Sequence, residues 1–131
     1  MNSNQDPPSL RLHCWEGYEN PLITDRFERT FGKRLEVETL LSDAAAADRL
    51  LQPDVDHPDL VNINNAYVRD CLLPAGLIRP LGDELGEQYR KSIHAYYEPY
   101  LGWSYDADGH LIGIGQRFGP FNLVVNLSLI H

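Results

Sequence analysis

The sequence of 131 residues is poor in cysteine and in basic side chains, and its apolar residues never run on for long. Two cysteines cannot frame a disulfide scaffold. Lys and Arg total 11 against 19 Asp and Glu, a formal net charge of −8. So acidic a chain lacks the basic face that phosphates require, which argues against nucleic acid as a partner and against docking on anionic membranes. No stretch approaches the ~20 apolar residues of a membrane span. Residues 1–9, MNSNQDPPS, hold no basic segment followed by an apolar one, so no export signal is written there. Either the protein is cytosolic or a signal has been removed.

The motifs of several enzyme classes are also missing. His13, Cys14 and Cys71 are scattered, without a C-x-x-C or H-E-x-x-H pattern, so no metal site is expected. There is no G-x-S-x-G element and no recognisable nucleophile–base pair. The glycine-rich stretch 113–119 has the wrong spacing for a dinucleotide fingerprint, and an extended segment follows it where a helix is needed. The expectation is a protein that is not an enzyme and carries no cofactor.

What is present is ordinary in bulk: 43% hydrophobic and 23% charged residues, the composition of a soluble globular domain. Residues 1–9 read as a flexible tail. Residues 10–14 alternate with period two and read as a strand. Asn20 followed by Pro21 opens a helix carrying Leu22, Ile23, Phe27 and Phe31, which Gly32 stops. A second strand spans 34–40, and Ser42 caps an Ala-rich helix over 43–51. A third strand at 59–63 leads into a helix capped by Asn64 or Asn65 and ended by Ala75-Gly76. Residues 83–97 read as helical, 106–109 as a hairpin turn, and 111–115 and 122–130 as strands.

The order β-α-β-α-β-α makes an α/β fold, a three-layer open and mostly parallel sheet. Ligands of such sheets bind beyond the carboxyl ends of the strands, where strand order reverses. If the first strand lies between the second and third, the loops 13–20 and 62–67 meet at that point. The first carries Trp15, Glu16, Tyr18 and Glu19, aromatic faces beside carboxylates that suit an ammonium group. Equally, Trp15 and Tyr18 are packing residues and the glutamates solvated. The second carries Asn62, Asn64 and Asn65, which offer amides to a ligand or serve as helix caps. Gln116 and Arg117 line a cleft, or Arg117 pairs with a surface acid.

Four stretches resemble a known family in order and spacing. They are residues 10–18 with Trp15 and Tyr18, and residues 27–37 from Phe27 through Gly32 to Val37. The third is Asp59-Leu60-Val61 followed by Tyr67-Val68 and residues 75–78, and the fourth is residues 114–126 with Phe118-Gly119. Together they resemble the N-terminal lobe of an extracellular solute-binding protein of an ABC transporter, of the spermidine/putrescine-binding type. The resemblance implies a type II periplasmic-binding-protein-like lobe over residues 10–131, lacking its second lobe, and a periplasmic location. It implies capture of a small polar solute, a polyamine or another amine-bearing compound, and docking on membrane permease subunits. Trp15, Tyr18 and Phe118 would stack on the solute. Glu16, Asn64 and Asn65 would hydrogen-bond it, and Arg117 would face a carboxylate. Gly17 stands where polyamine binders often carry an acid, and Ala66 where an aromatic is usual. The apolar stretch 123–130 ends at the penultimate residue, as if cut from something longer. A different class, a self-associating module dimerising through an exposed sheet edge, is the alternative.

Overall fold

The computed structural model describes residues 8–116, apart from the side chain of Tyr96. The chain divides into two compact units, Met1–Arg79 and Pro80–His131.

In the first unit, β1 (Ser9–Trp15), β2 (Arg34–Leu40) and β3 (Leu60–Val61) form a three-stranded parallel sheet in the order β2-β1-β3. The first strand therefore lies between the other two, as the switch-point reading requires. Its register with β2 runs from Ser9 opposite Arg34 to Trp15 opposite Leu40, and with β3 it pairs Leu12 to Leu60 and His13 to Val61. The third strand is shorter than the expected 59–63. Backbone bonds from Asp59 N–H to the Arg11 carbonyl (3.0 Å) and from Asn62 N–H to the His13 carbonyl (2.8 Å) flank it.

Between β1 and β2 runs α1 (Pro21–Phe31). The Asn20 side chain accepts the Leu22 N–H, Pro21 occupies the first turn, and Gly32 closes the helix at φ 63°, a left-handed conformation that glycine adopts without a Cβ clash. Phe27 and Phe31, four apart, bring their ring centroids to 4.9 Å. Ser42 caps α2 (Asp43–Leu50) by accepting the Ala45 N–H, with Asp43 in the first turn and Arg49 in the last, both favourable to the helix dipole. Right-handed crossovers in this strand order send α1 and α2 to opposite faces of the sheet.

Period-two alternation divides β1 cleanly. Trp15 hydrogen-bonds Asp43 of α2, so by alternation Arg11 and His13 face α2 with it, whereas Leu10, Leu12 and Cys14 face the other way. The buried core of this unit is Cys14, Leu40, Ala46, Ala47, Leu50 and Leu72.

The helix expected after β3 is not regular. It is α3 (Asn65–Tyr67) continued by a π-helical turn, Val68–Leu72, in which the Leu73 N–H reaches the Val68 carbonyl at 2.8 Å. Its end is the expected one. Gly76 has φ 73°, its N–H donates to the Leu73 carbonyl, and the Leu77 N–H returns to the Leu72 carbonyl, the bond pattern of a glycine-stopped helix.

In the second unit, α4 (Asp83–Ser92) ends five residues short of the expected helix over 83–97. Ser92 Oγ donates back to the Tyr89 carbonyl, and Ile93 is extended. A 3-10 segment follows, Ala95–Ser104, containing Pro99. The break comes at Ile93, whose extended backbone ends the helical bonding before the aromatic residues beyond it. The hairpin turn is present. Asp106 Oδ1 accepts the N–H groups of Asp108 (3.0 Å) and His110 (2.8 Å), and Gly109 takes φ 85°. The strand expected at 111–115 reduces to a single antiparallel bridge, Tyr105 to Leu111. The strand expected at 122–130 lies outside the described residues.

Candidate functional site

Three loops leave the carboxyl edge of the sheet side by side. The β1 exit is a tight turn over residues 16–19, in which Gly17 adopts φ 100° and its N–H donates to Glu19 Oε2 at 2.6 Å. The β2 exit is two residues long and delivers Asp43 to the start of α2. The β3 exit brings Asn64 to the start of α3.

These loops meet at one atom. Trp15 ends β1 opposite Leu40, on the α2 side of the sheet, and its indole Nε1–H donates to Asp43 Oδ1 at 3.0 Å. The Asn64 backbone N–H donates to the same oxygen at 3.2 Å. The carboxylate sits in the first turn of α2, where the helix dipole favours negative charge. Pinning the indole by its N–H fixes the ring while leaving Trp15 37% exposed. An anchored π-face beside a carboxylate is an arrangement that attracts a cation through its quadrupole and its charge together.

Of the residues expected at the site, Trp15, Glu16 and Tyr18 come from the β1 exit, and Asn64 and Asn65 from the β3 exit. Glu16, Asn64 and Asn65 are exposed, and Tyr18 is half-buried. Asn64 Oδ1 accepts the Ala66 N–H at 3.1 Å, so its carbonyl oxygen serves as a helix cap. Likewise Glu19 is engaged in its own turn. Arg117 and Phe118 lie outside the described residues. Asp43 was not anticipated, because next to Ser42 it reads as an ordinary first-turn acid. The available signal was topological: with β1 central, the β2 exit opens on the same edge as the other two.

A cavity of about 250 Å³ lies away from this edge, between the sheet and the end of α2, lined by Arg11, His13, Glu36, Glu38, Arg49 and Asp56 among others. Its charges already answer one another. Arg11 bonds to Asp56 and to the His57 carbonyl, and Arg49 bonds to Glu38. The Arg49 hydrogen bond holds the Glu38 carboxyl below the ordinary carboxylate range, with the Arg49 and His13 charges adding to it. A ligand entering there would have to break ion pairs, whereas the carboxyl edge offers a ring already held in place.

Two other groups with chemical potential resolve into structure. Asp106, Asp108 and His110 bring ligand-type atoms within 4.8 Å of one another, but hydrogen bonds of the turn account for that grouping. Those from His110 lower the Asp106 pKa. The thiols are unpaired, and burial pushes the Cys14 thiol up, with the Glu19 charge adding to it. Cys71 is half-buried. Iodoacetamide at neutral pH is therefore expected to label Cys71 first and Cys14 only after denaturation, read as successive mass increments; equal labelling rates in the native protein would contradict the burial of Cys14.

No protein-family model matches this chain, and no curated protein matches it.

Proposed function

We propose that this chain supplies one lobe of the solute-binding component of an ABC importer and captures a small amine-bearing solute, polyamines included. The observation that carries the reading is the Trp15 indole, tied to Asp43 at the carboxyl edge of a β2-β1-β3 parallel sheet. That edge is where doubly wound sheets bind ligands. The resemblance of residues 10–126 to spermidine/putrescine-binding proteins supports the same conclusion from sequence. In this reading Trp15, Tyr18 and Phe118 stack on the solute, Glu16 and Asn65 hydrogen-bond it, and Asn64 contributes through its backbone position. Arg117 faces a carboxylate where the solute has one. Capture involves no chemical step, the partners are membrane permease subunits, and the protein works in the periplasm. Burial of most of a ligand's surface is what gives affinity, so one lobe alone binds weakly.

The test uses the Trp103→Phe protein, in which Trp15 is the remaining tryptophan. Titration with putrescine, spermidine and a panel of amino acids is expected to give a saturable change in Trp15 emission with the amines, absent in Trp15→Ala checked by calorimetry. A folded protein that responds to none of the amines even at millimolar concentration, where a weak one-lobe site still fills, would remove the assignment.

A second reading, self-association, has its own observation. Among the described residues α1 has none buried, with Phe31 63% exposed, and Leu60 on the edge strand is 49% exposed. Such surface favours pairing between copies. Light scattering separates the readings: a stable dimer without amine affinity supports the module, and an amine-binding monomer supports capture.

A further inference from the structure

We infer that Asp43 is the positioning residue of the carboxyl-edge site, and that it acts as a shared hydrogen-bond acceptor which sets the Trp15 ring and the Asn64 loop together. The ligand consequence rests on the amine-capture reading; the positioning itself does not.

The geometry is specific. One oxygen, Asp43 Oδ1, accepts from the Trp15 indole at 3.0 Å and from the Asn64 backbone at 3.2 Å. The two donors come from different strand exits, and the acceptor comes from a third. Each donor is separately fixed at its root. Trp15 is the last residue of the β1–β2 register, and Asn64 caps α3 through its own side chain. Asp43 stands one residue after the Ser42 cap, whose Oγ holds the Ala45 N–H at 3.2 Å. The carboxylate is therefore built on a capped helix end, and the ring it steers is the exposed one. A ring steered by its N–H keeps one orientation, which preorganises a stacking face and removes the rotamer cost of ordering it on binding. Because one carboxylate oxygen serves both exits, removing it frees the indole and the Asn64 N–H together.

Acceptor and charge are separable by substitution. Asp43→Asn retains an oxygen able to accept both N–H groups and loses the charge; Asp43→Ala loses both. Exchange of the Trp15 Nε1–H with solvent, followed by NMR in the full chain, is expected to be slow in the wild type and in Asp43→Asn. In Asp43→Ala it is expected to be ~10-fold faster or more, with acrylamide quenching of Trp15 rising in the Trp103→Phe background. The putrescine dissociation constant is expected to weaken by ~10-fold in Asp43→Ala and by less in Asp43→Asn.

Unchanged indole exchange in a folded Asp43→Ala overturns the inference. Should that variant not fold, the wild type decides: a Trp15 Nε1–H exchanging at the rate of a free indole overturns it, and a protected one sustains it. Loss of protection in Asp43→Asn equal to that in Asp43→Ala assigns the role to charge and overturns the acceptor mechanism. If Asp43→Ala speeds exchange while no variant answers putrescine, the positioning role stands and the amine reading falls.

Discussion

Leu72→Ala is expected to destabilise the protein by about 2–5 kcal/mol, the range for truncating a buried leucine. Leu72 is 1% exposed, among the most deeply buried side chains described. It lies in the π-helical turn Val68–Leu72, and that turn packs on α2, whose buried face is Ala46, Ala47 and Leu50. Two of those three are alanines, so Leu50 is the one long side chain on that face with which to refill the space that the leucine leaves. Collapse around the deletion is limited, and the cost falls toward the upper end when relaxation is poor. Small domains hold only about 5–15 kcal/mol in total, so the loss is a large fraction of the whole. Urea unfolding followed by circular dichroism measures it. A midpoint within error of the wild type would show that Leu72 does not anchor this unit.

Tyr89 produces the largest expected effect in the second unit, and it separates packing from hydrogen bonding. Its side chain is buried beside Gly86, one turn earlier in α4, and its hydroxyl lies 3.3 Å from Ser104 Oγ. The Gly115 N–H donates to the same hydroxyl at 3.0 Å. Tyr89→Ala removes the ring and both bonds, at about 3–5 kcal/mol, the usual cost of deleting a buried aromatic. Tyr89→Phe keeps the ring and loses the hydroxyl's bonds to buried Ser104 and to the Gly115 N–H, at about 1 kcal/mol. The pair is measured by urea unfolding with near-ultraviolet circular dichroism as the tertiary signal. Equal losses for the two variants would place the stability in the hydroxyl network instead of the ring.

How far residues announce structure depends on whether their causes are local. Asn20-Pro21 and Gly32 bound α1 because a side-chain acceptor, a fixed φ and a left-handed stop all act within one turn. Ser42 and Gly76 behave the same way. The parallel sheet was legible from alternation interrupted by helices, whereas the central place of the first strand entered only as a condition that the structure meets. Structure and pattern part where a local side-chain bond or a distant backbone partner competes with the spacing. The aromatic spacing over 83–97 suits a helix, yet Ser92 turns back on the Tyr89 carbonyl and Ile93 is extended, so the helix stops there. Leu111 and Ile112 look like the start of a strand, and they are buried, but their backbone bonds go to Leu81 and Ser104.

The sequence by itself determined the caps, the hairpin turn, the acidic surface and the placement of an aromatic–amide pair of loops after the first and third strands. These follow from side-chain chemistry within a few residues, or from charge alone. Only the tertiary structure decided that Asp43 belongs with them. Trp15, Asp43 and Asn64 are 28 and 21 positions apart along the chain. Only the parallel register, which sets Trp15 beside Leu40, brings the start of α2 within reach of the indole. The same contact decided that the N–H of Asn64, whose side chain caps α3 locally, joins the edge, a role that no spacing of amides in a sequence can reveal.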